Sequence, residues 1–155
     1  PCSRKPCAPT VGAEADLPPP MPGPTVLALQ AVGSWPGALV LCYALVIGHA
    51  LADFPLQSPF LAAAKDRHAR PSATGGVGFP PTLWVFALTF HTLIHAAAVW
   101  LVTGSVVLAL AENVLHWAID FAKCERWLTF SQDQWLHLLC KPGNALVTCL
   151  GFLPP

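Results

Sequence analysis

Histidine and aspartate recur in this chain as pairs at one fixed spacing. His49 and Asp53, His91 and His95, His116 and Asp120, and Asp133 and His137 each lie four residues apart. Side chains four apart sit one turn above each other on the same helix face. Six His and five Asp among 155 residues put such a residue four positions away by chance roughly 7% of the time. Four pairs, one in each of four apolar stretches, exceed that expectation, and only His68 among the histidines is left out. Imidazole and carboxylate together suit Zn²⁺, Mn²⁺, Fe²⁺ or Ni²⁺ and disfavour Ca²⁺ or Cu(I). We therefore read His49, Asp53, His91, His95, His116, Asp120, Asp133 and His137 as candidate ligands of a divalent transition metal. Zinc comes first, with manganese or iron as alternatives. Eight candidates exceed the four that one zinc needs, so either two ions bind or some of these groups orient the others. Glu112 stands one turn before His116 and is the candidate catalytic residue, either as general base or as an acceptor that orients the imidazole. A metal-free proton relay built from the same groups is the competing expectation.

The elements that must position these pairs are long and apolar. Hydrophobic residues make up 54% of the chain, Asp, Glu, Lys and Arg only 10%, and mean hydropathy is +0.55. Soluble domains carry about 25% charged residues. The composition predicts an all-α fold, a polytopic membrane bundle of about four transmembrane helices of ~20 residues each. The predicted spans are 36–54, 81–102, 106–122 and 130–139, the last resuming over 144–153 after Pro142-Gly143. Residues 26–32 suggest a short interfacial helix, and Ser34-Trp35-Pro36-Gly37 a helix start. Residues 1–25 read as a Pro-rich disordered tail and 26–155 as the transmembrane domain. Arg4-Lys5 is followed by prolines, not by the apolar run of a signal peptide.

Lys65, Arg67, Arg70, Lys123 and Arg126 fall in the first and third connections, which the positive-inside rule makes cytoplasmic. Thr103-Gly104-Ser105 then belongs outside, and the four pairs meet in the cytoplasmic half of the bundle. Lys65 and Lys123 read as headgroup anchors, and Trp84, Trp117, Trp127 and Trp135 as interfacial belt residues. Zero net charge and the lack of a dense basic face exclude nucleic acid. The six cysteines (Cys2, Cys7, Cys42, Cys124, Cys140, Cys149) show no CxxC or finger spacing. Gly75-Gly76-Val77-Gly78, within a predicted flexible loop, lacks the spacing of a phosphate loop.

The strings His49-Ala50-Leu51-Ala52-Asp53-Phe54-Pro55-Leu56-Gln57 and His91-Thr92-Leu93-Ile94-His95-Ala96 carry a family resemblance. So do His116-Trp117-Ala118-Ile119-Asp120-Phe121-Ala122-Lys123 and Asp133-Gln134-Trp135-Leu136-His137-Leu138. Over about 38–140 the chain resembles the domain-of-unknown-function 3307 family of small bacterial and phage membrane proteins. The resemblance implies a multi-span membrane fold with these residues as its signature, and no activity.

The function expected from the residues is a membrane-embedded, metal-dependent hydrolase of a lipid or other amphiphile, in the inner membrane, with membrane lipid as its partner. Transport or proton relay is the rival class, and a non-catalytic assembly factor stapled by its metal a third. Substrate, metal number and oligomeric state are not set by the sequence.

Overall fold

Five of the six helices among the described residues begin at a residue whose side chain caps them. The computed structural model describes residues 25–69 and 79–152; most of the predicted tail, the glycine-rich loop, Arg70, Cys2 and Cys7 lie outside them. The helices are α1 (Val26–Ala31), α2 (Trp35–Asp53), α3 (Pro59–Ala64), α4 (Leu83–Thr103), α5 (Val106–Cys124) and α6 (Phe130–Cys149). The hydroxyls of Thr25, Ser34, Ser58 and Ser105 each accept from a backbone N–H two or three residues into the first turn, which satisfies donors no helical carbonyl can reach. Pro36 and Pro59 occupy first-turn positions where no N–H is needed. Thr129 and Gln132 form a reciprocal capping box at the start of α6. Gly104, at φ 74°, ends α4 in the left-handed conformation that glycine adopts without steric cost.

The chain is all-helical, with no strand among the described residues. α2, α4, α5 and α6 form a four-membered ring in which α4 packs on α5 and α2, and α6 on α2 and α5. α1 lies across α2, α4 and α6, tied by Thr25 N–H to the Thr103 carbonyl (3.2 Å) and Gly33 N–H to the Cys149 carbonyl (2.9 Å). A Cβ at position 37 would collide with the Gln30 carbonyl, so Gly37 is what lets α1 fold back onto α2. α2 and α4 are long and apolar enough to cross a membrane.

Two predicted elements differ from the structure. α6 is one helix running through Pro142, not two segments with a break. Proline there removes only the bond to the Leu138 carbonyl, and packing of α6 on α2 and α5 holds the rest. After α2 the chain forms a short helix that the predicted spans did not include, α3, which packs against α4, and Lys65 at its end is buried.

The interior divides into two halves. Ala31, Leu41, Leu45, Val99, Leu108 and Ala145 form an apolar core beside α1. The other half holds His49, His91, His95, His116, His137, Asp120, Asp133, Glu112, Lys65 and Lys141, all buried. Large apolar side chains such as Leu39, Tyr43, Phe86, Phe90, Leu101, Leu110, Val114, Trp135 and Leu139 cover the outside. This reverses the usual order of a water-soluble domain.

Candidate metal centre

Four-residue spacing on the four ring helices stacks their inward side chains into tiers. Leu41, Leu45, His49 and Asp53 descend α2; Leu108, Glu112, His116 and Asp120 descend α5; Val99, His95 and His91 descend α4; and Ala145, Lys141, His137 and Asp133 descend α6. His49, His95, His116 and His137 therefore share one tier. The His95 and His116 ring centroids are 3.7 Å apart, those of His116 and His137 3.8 Å, and those of His49 and His95 5.0 Å. Asp53, His91, Asp120 and Asp133 form the next tier toward α3. All eight predicted ligands meet in one cluster.

Asp53 is the hub of one side. Its Oδ1 is 3.2 Å from His95 Nε2 and 3.4 Å from His91 Nε2; its Oδ2 accepts from Gln134 Nε2 at 3.0 Å and lies 3.5 Å from His49 Nε2. Asp120 is the hub of the other. Its Oδ1 is 3.3 Å from His137 Nε2, and its Oδ2 is 2.6 Å from Lys65 Nζ and 3.4 Å from His91 Nε2. Asp133 Oδ1 lies 3.4 Å from His137 Nε2 and Asp133 Oδ2 3.6 Å from Lys123 Nζ.

Two groups have the donor atoms to hold an ion. Asp53, His91, His95 and His116 form one, His116, Asp120 and His137 the other, each with ligand atoms within 4.8 Å of one another. Tetrahedral zinc with bonds near 2.05 Å separates its ligands by about 3.4 Å, the spacing already found around Asp53 and Asp120. His116 Nδ1 faces Glu112 Oε1 at 3.4 Å, which leaves Nε2 for an ion. His116 Nε2, His49 Nε2, His91 Nδ1 and Asp133 Oδ1 are buried without a hydrogen-bond partner, a costly arrangement for polar atoms; of these residues His116 and His91 belong to the groups that could hold an ion, and His49 and Asp133 to neither.

Charge points the same way. Among the described residues, Asp120 pairs with Lys65, Asp133 with Lys123 and Glu112 with Lys141, while Asp53 has no lysine or arginine within ion-pair distance. With neutral imidazoles the cluster carries one excess negative charge.

Glu112 faces Lys141 and His116, with Asn144 Nδ2 at 3.4 Å from its Oε2. Its carboxylate lies where it can accept from the His116 imidazole. Lys65 is not a headgroup anchor: it is 4% exposed, because its four-carbon stem turns inward to the Asp120 carboxylate. With its amide turned to satisfy both ends, Gln57 accepts from Lys65 Nζ at 2.7 Å and donates to the Asp53 carbonyl at 3.3 Å. Lys141 was not singled out by sequence, although it continues the Asp133–His137 series by one more turn. A partly open cavity of about 270 Å³ meets the Asp tier and is lined by Asp53, Asp120 and Asp133 together with Gln57, Lys65, Lys123 and Gln134.

A buried His/Asp cluster inside a helical ring is the class of site present. Residues 41–141 match the family described as protein of unknown function, DUF3307, and the chain belongs to it. All eight cluster residues, Glu112, Lys65 and Lys141 lie in the matched segment. Comparison with curated proteins and with solved structures gives no match.

Proposed function

We propose that the protein is an integral membrane protein that holds one or two divalent transition-metal ions, zinc first, in its His/Asp cluster and hydrolyses a lipid-like amphiphile there. The observation that carries the reading is the convergence of five imidazoles and three aspartates from four helices, with one carboxylate lacking a cationic partner. Four membrane spans are supported by the apolar exterior of the whole ring. α5 and α6 have low hydropathy because Glu112, Asp120, Asp133 and Lys141 count against them, yet all four are buried and never meet lipid. We place the cluster in the cytoplasmic half of an inner-membrane bundle, since Arg67, Lys123 and Arg126 stand at its end.

An ion held by the His/Asp cluster would supply a water acidic enough to act as hydroxide near neutral pH, the chemistry that ester hydrolysis needs. Glu112 Oε1, 3.4 Å from His116 Nδ1, would leave that imidazole's Nε2 for the ion, and Lys141 pairs with Glu112. The cavity beside Asp53 and Asp120 admits the reacting group.

Two short stretches, Lys141–Glu112–His116 and His137–Asp120–Lys65, with 4.0 Å between His116 Nε2 and Asp120 Oδ2, favour a second reading, a proton relay from mid-bundle to the cavity. Elemental analysis of the full chain purified in detergent separates the two. One or two transition metals per chain, with a chelator lowering both Tm and hydrolysis, is the expected result. A metal-free protein indifferent to chelator overturns the metal reading and leaves the relay.

A further inference from the structure

We propose that the cavity at the mouth of the centre binds an anionic phosphoryl group, carried on a lipid headgroup or as free phosphate. The inference rests on the metal reading and names the substrate class of that site. Three observations converge.

The cavity presents donors as well as carboxylates. Lys65, Lys123, Gln57 and Gln134 line it together with Asp53, Asp120 and Asp133, so two ammonium groups border the space beside the carboxylates they pair with. Its volume of about 270 Å³ equals roughly nine waters at ~30 Å³ each, room for a tetrahedral anion and the start of a substituent.

Charge reverses on loading. Four carboxylates (Asp53, Asp120, Asp133, Glu112) against three lysines (Lys65, Lys123, Lys141) leave −1. One divalent ion makes the cluster +1 and two make it +3. An ion held by Asp120 would share that carboxylate with Lys65, whose ammonium could then also pair with an anion in the cavity. A net positive charge in a largely buried site costs several kcal/mol unless an anion joins it.

The number of donors selects the anion. Two ammonium groups and an ion exceed what the single charge of a carboxylate can satisfy. A phosphoryl group offers three oxygens and up to two charges, and lysine binds it as a point charge.

The test uses the full chain in phosphatidylcholine nanodiscs, incubated with zinc, its zinc content measured on the same sample. Calorimetric titrations add inorganic phosphate, or acetate as the control anion, and a parallel set uses nanodiscs doped with phosphatidic acid. Lys123→Gln is the variant, because Lys123 is partly exposed at 29% and its contact with Asp133, at 3.6 Å, is looser than the 2.6 Å pair that Lys65 makes with Asp120. We expect phosphoryl binding that outcompetes acetate and that Lys123→Gln weakens roughly tenfold, the effect of one charged hydrogen bond, at unchanged zinc content. Binding of phosphate alone identifies a free ion as the ligand; binding only in doped nanodiscs identifies a headgroup. Zinc-loaded protein that binds neither, or binds acetate as tightly, or is indifferent to Lys123→Gln, overturns the inference while the metal reading stands. Protein without zinc overturns the metal reading; phosphoryl binding that Lys123→Gln still weakens would then keep the anion site, and its absence removes both.

Discussion

Lys141 on α6 and Glu112 on α5 form an ion pair in the interior of the bundle, one turn beyond the histidine tier, and Lys141 is 1% exposed. Removing either partner alone leaves a buried charge without compensation, at a cost of about 3–5 kcal/mol. Lys141→Met should therefore lower thermal stability in detergent strongly, and Glu112→Gln combined with it should recover most of the loss. A double variant no more stable than Lys141→Met would show that the pair is not coupled in this way.

Asp53 and Asp120 should respond differently to the same substitution. Asp53→Asn removes the carboxylate with no cationic partner, so metal content should fall while the metal-free protein keeps its stability. Asp120→Asn should lose metal and also destabilise the metal-free protein, because Lys65 Nζ, 2.6 Å away, loses its counter-charge. His116→Gln should lose metal and His68→Gln should not, since His68 lies outside the cluster beside Glu125. Elemental analysis and melting curves with and without chelator read all four variants.

Orientation follows from the loops. Arg67 Nη2 meets Glu125 Oε2 at 2.6 Å and Arg126 Nη2 meets Asp66 Oδ2 at 2.7 Å, so the first and third connections lie at the same end of the bundle. A reporter inserted near Arg67 should read cytoplasmic and one at Gly104 external. The opposite pattern would move the centre to the outer half of the membrane.

The same clasp makes a pH-dependent contribution. The hydrogen bond from Arg67, with a smaller one from His68, holds the Glu125 carboxyl below the usual carboxylate range. A depressed folded-state value contributes stability that is fully present above the ordinary range and is lost as pH falls through the folded value. Glu125→Gln should lower Tm slightly at neutral pH, with the difference from wild type disappearing in acid. An equal difference at both ends of the range would assign the effect to shape instead of charge.

The centre was readable wherever its geometry is local. A four-residue repeat is a helix face, so the eight ligand candidates and Glu112 could be found without knowing which helices touch. Lys65 could not, because what buries it is Asp120, 55 positions away, and a lysine in a short polar segment has no local mark of that pairing. The same holds for Thr92, whose hydroxyl donates to Asn113 Oδ1 at 2.8 Å and ties α4 to α5. Lys141 carried a local signal, its place in the series from Asp133, but Pro142-Gly143 beside it reads as a helix stop. Tertiary packing overrides that stop. Hydropathy likewise picks out α2 and α4 as long and apolar enough to cross a membrane and not α5 and α6, since an average along the chain cannot tell an inward charge from an outward one.

The pairing of Asp133 and Lys141 on α6 with Lys123 and Glu112 on α5 bears on biosynthesis. A charge at a helix centre in hydrocarbon costs about 2.5–3.5 kcal/mol on insertion scales; Asp133 and Lys123 sit in terminal turns, so that cost falls on Glu112 and Lys141. On the four-span reading, α5 carries the charges complementary to those of α6 and precedes it by a short connection, so the two helices would enter the bilayer together as a hairpin.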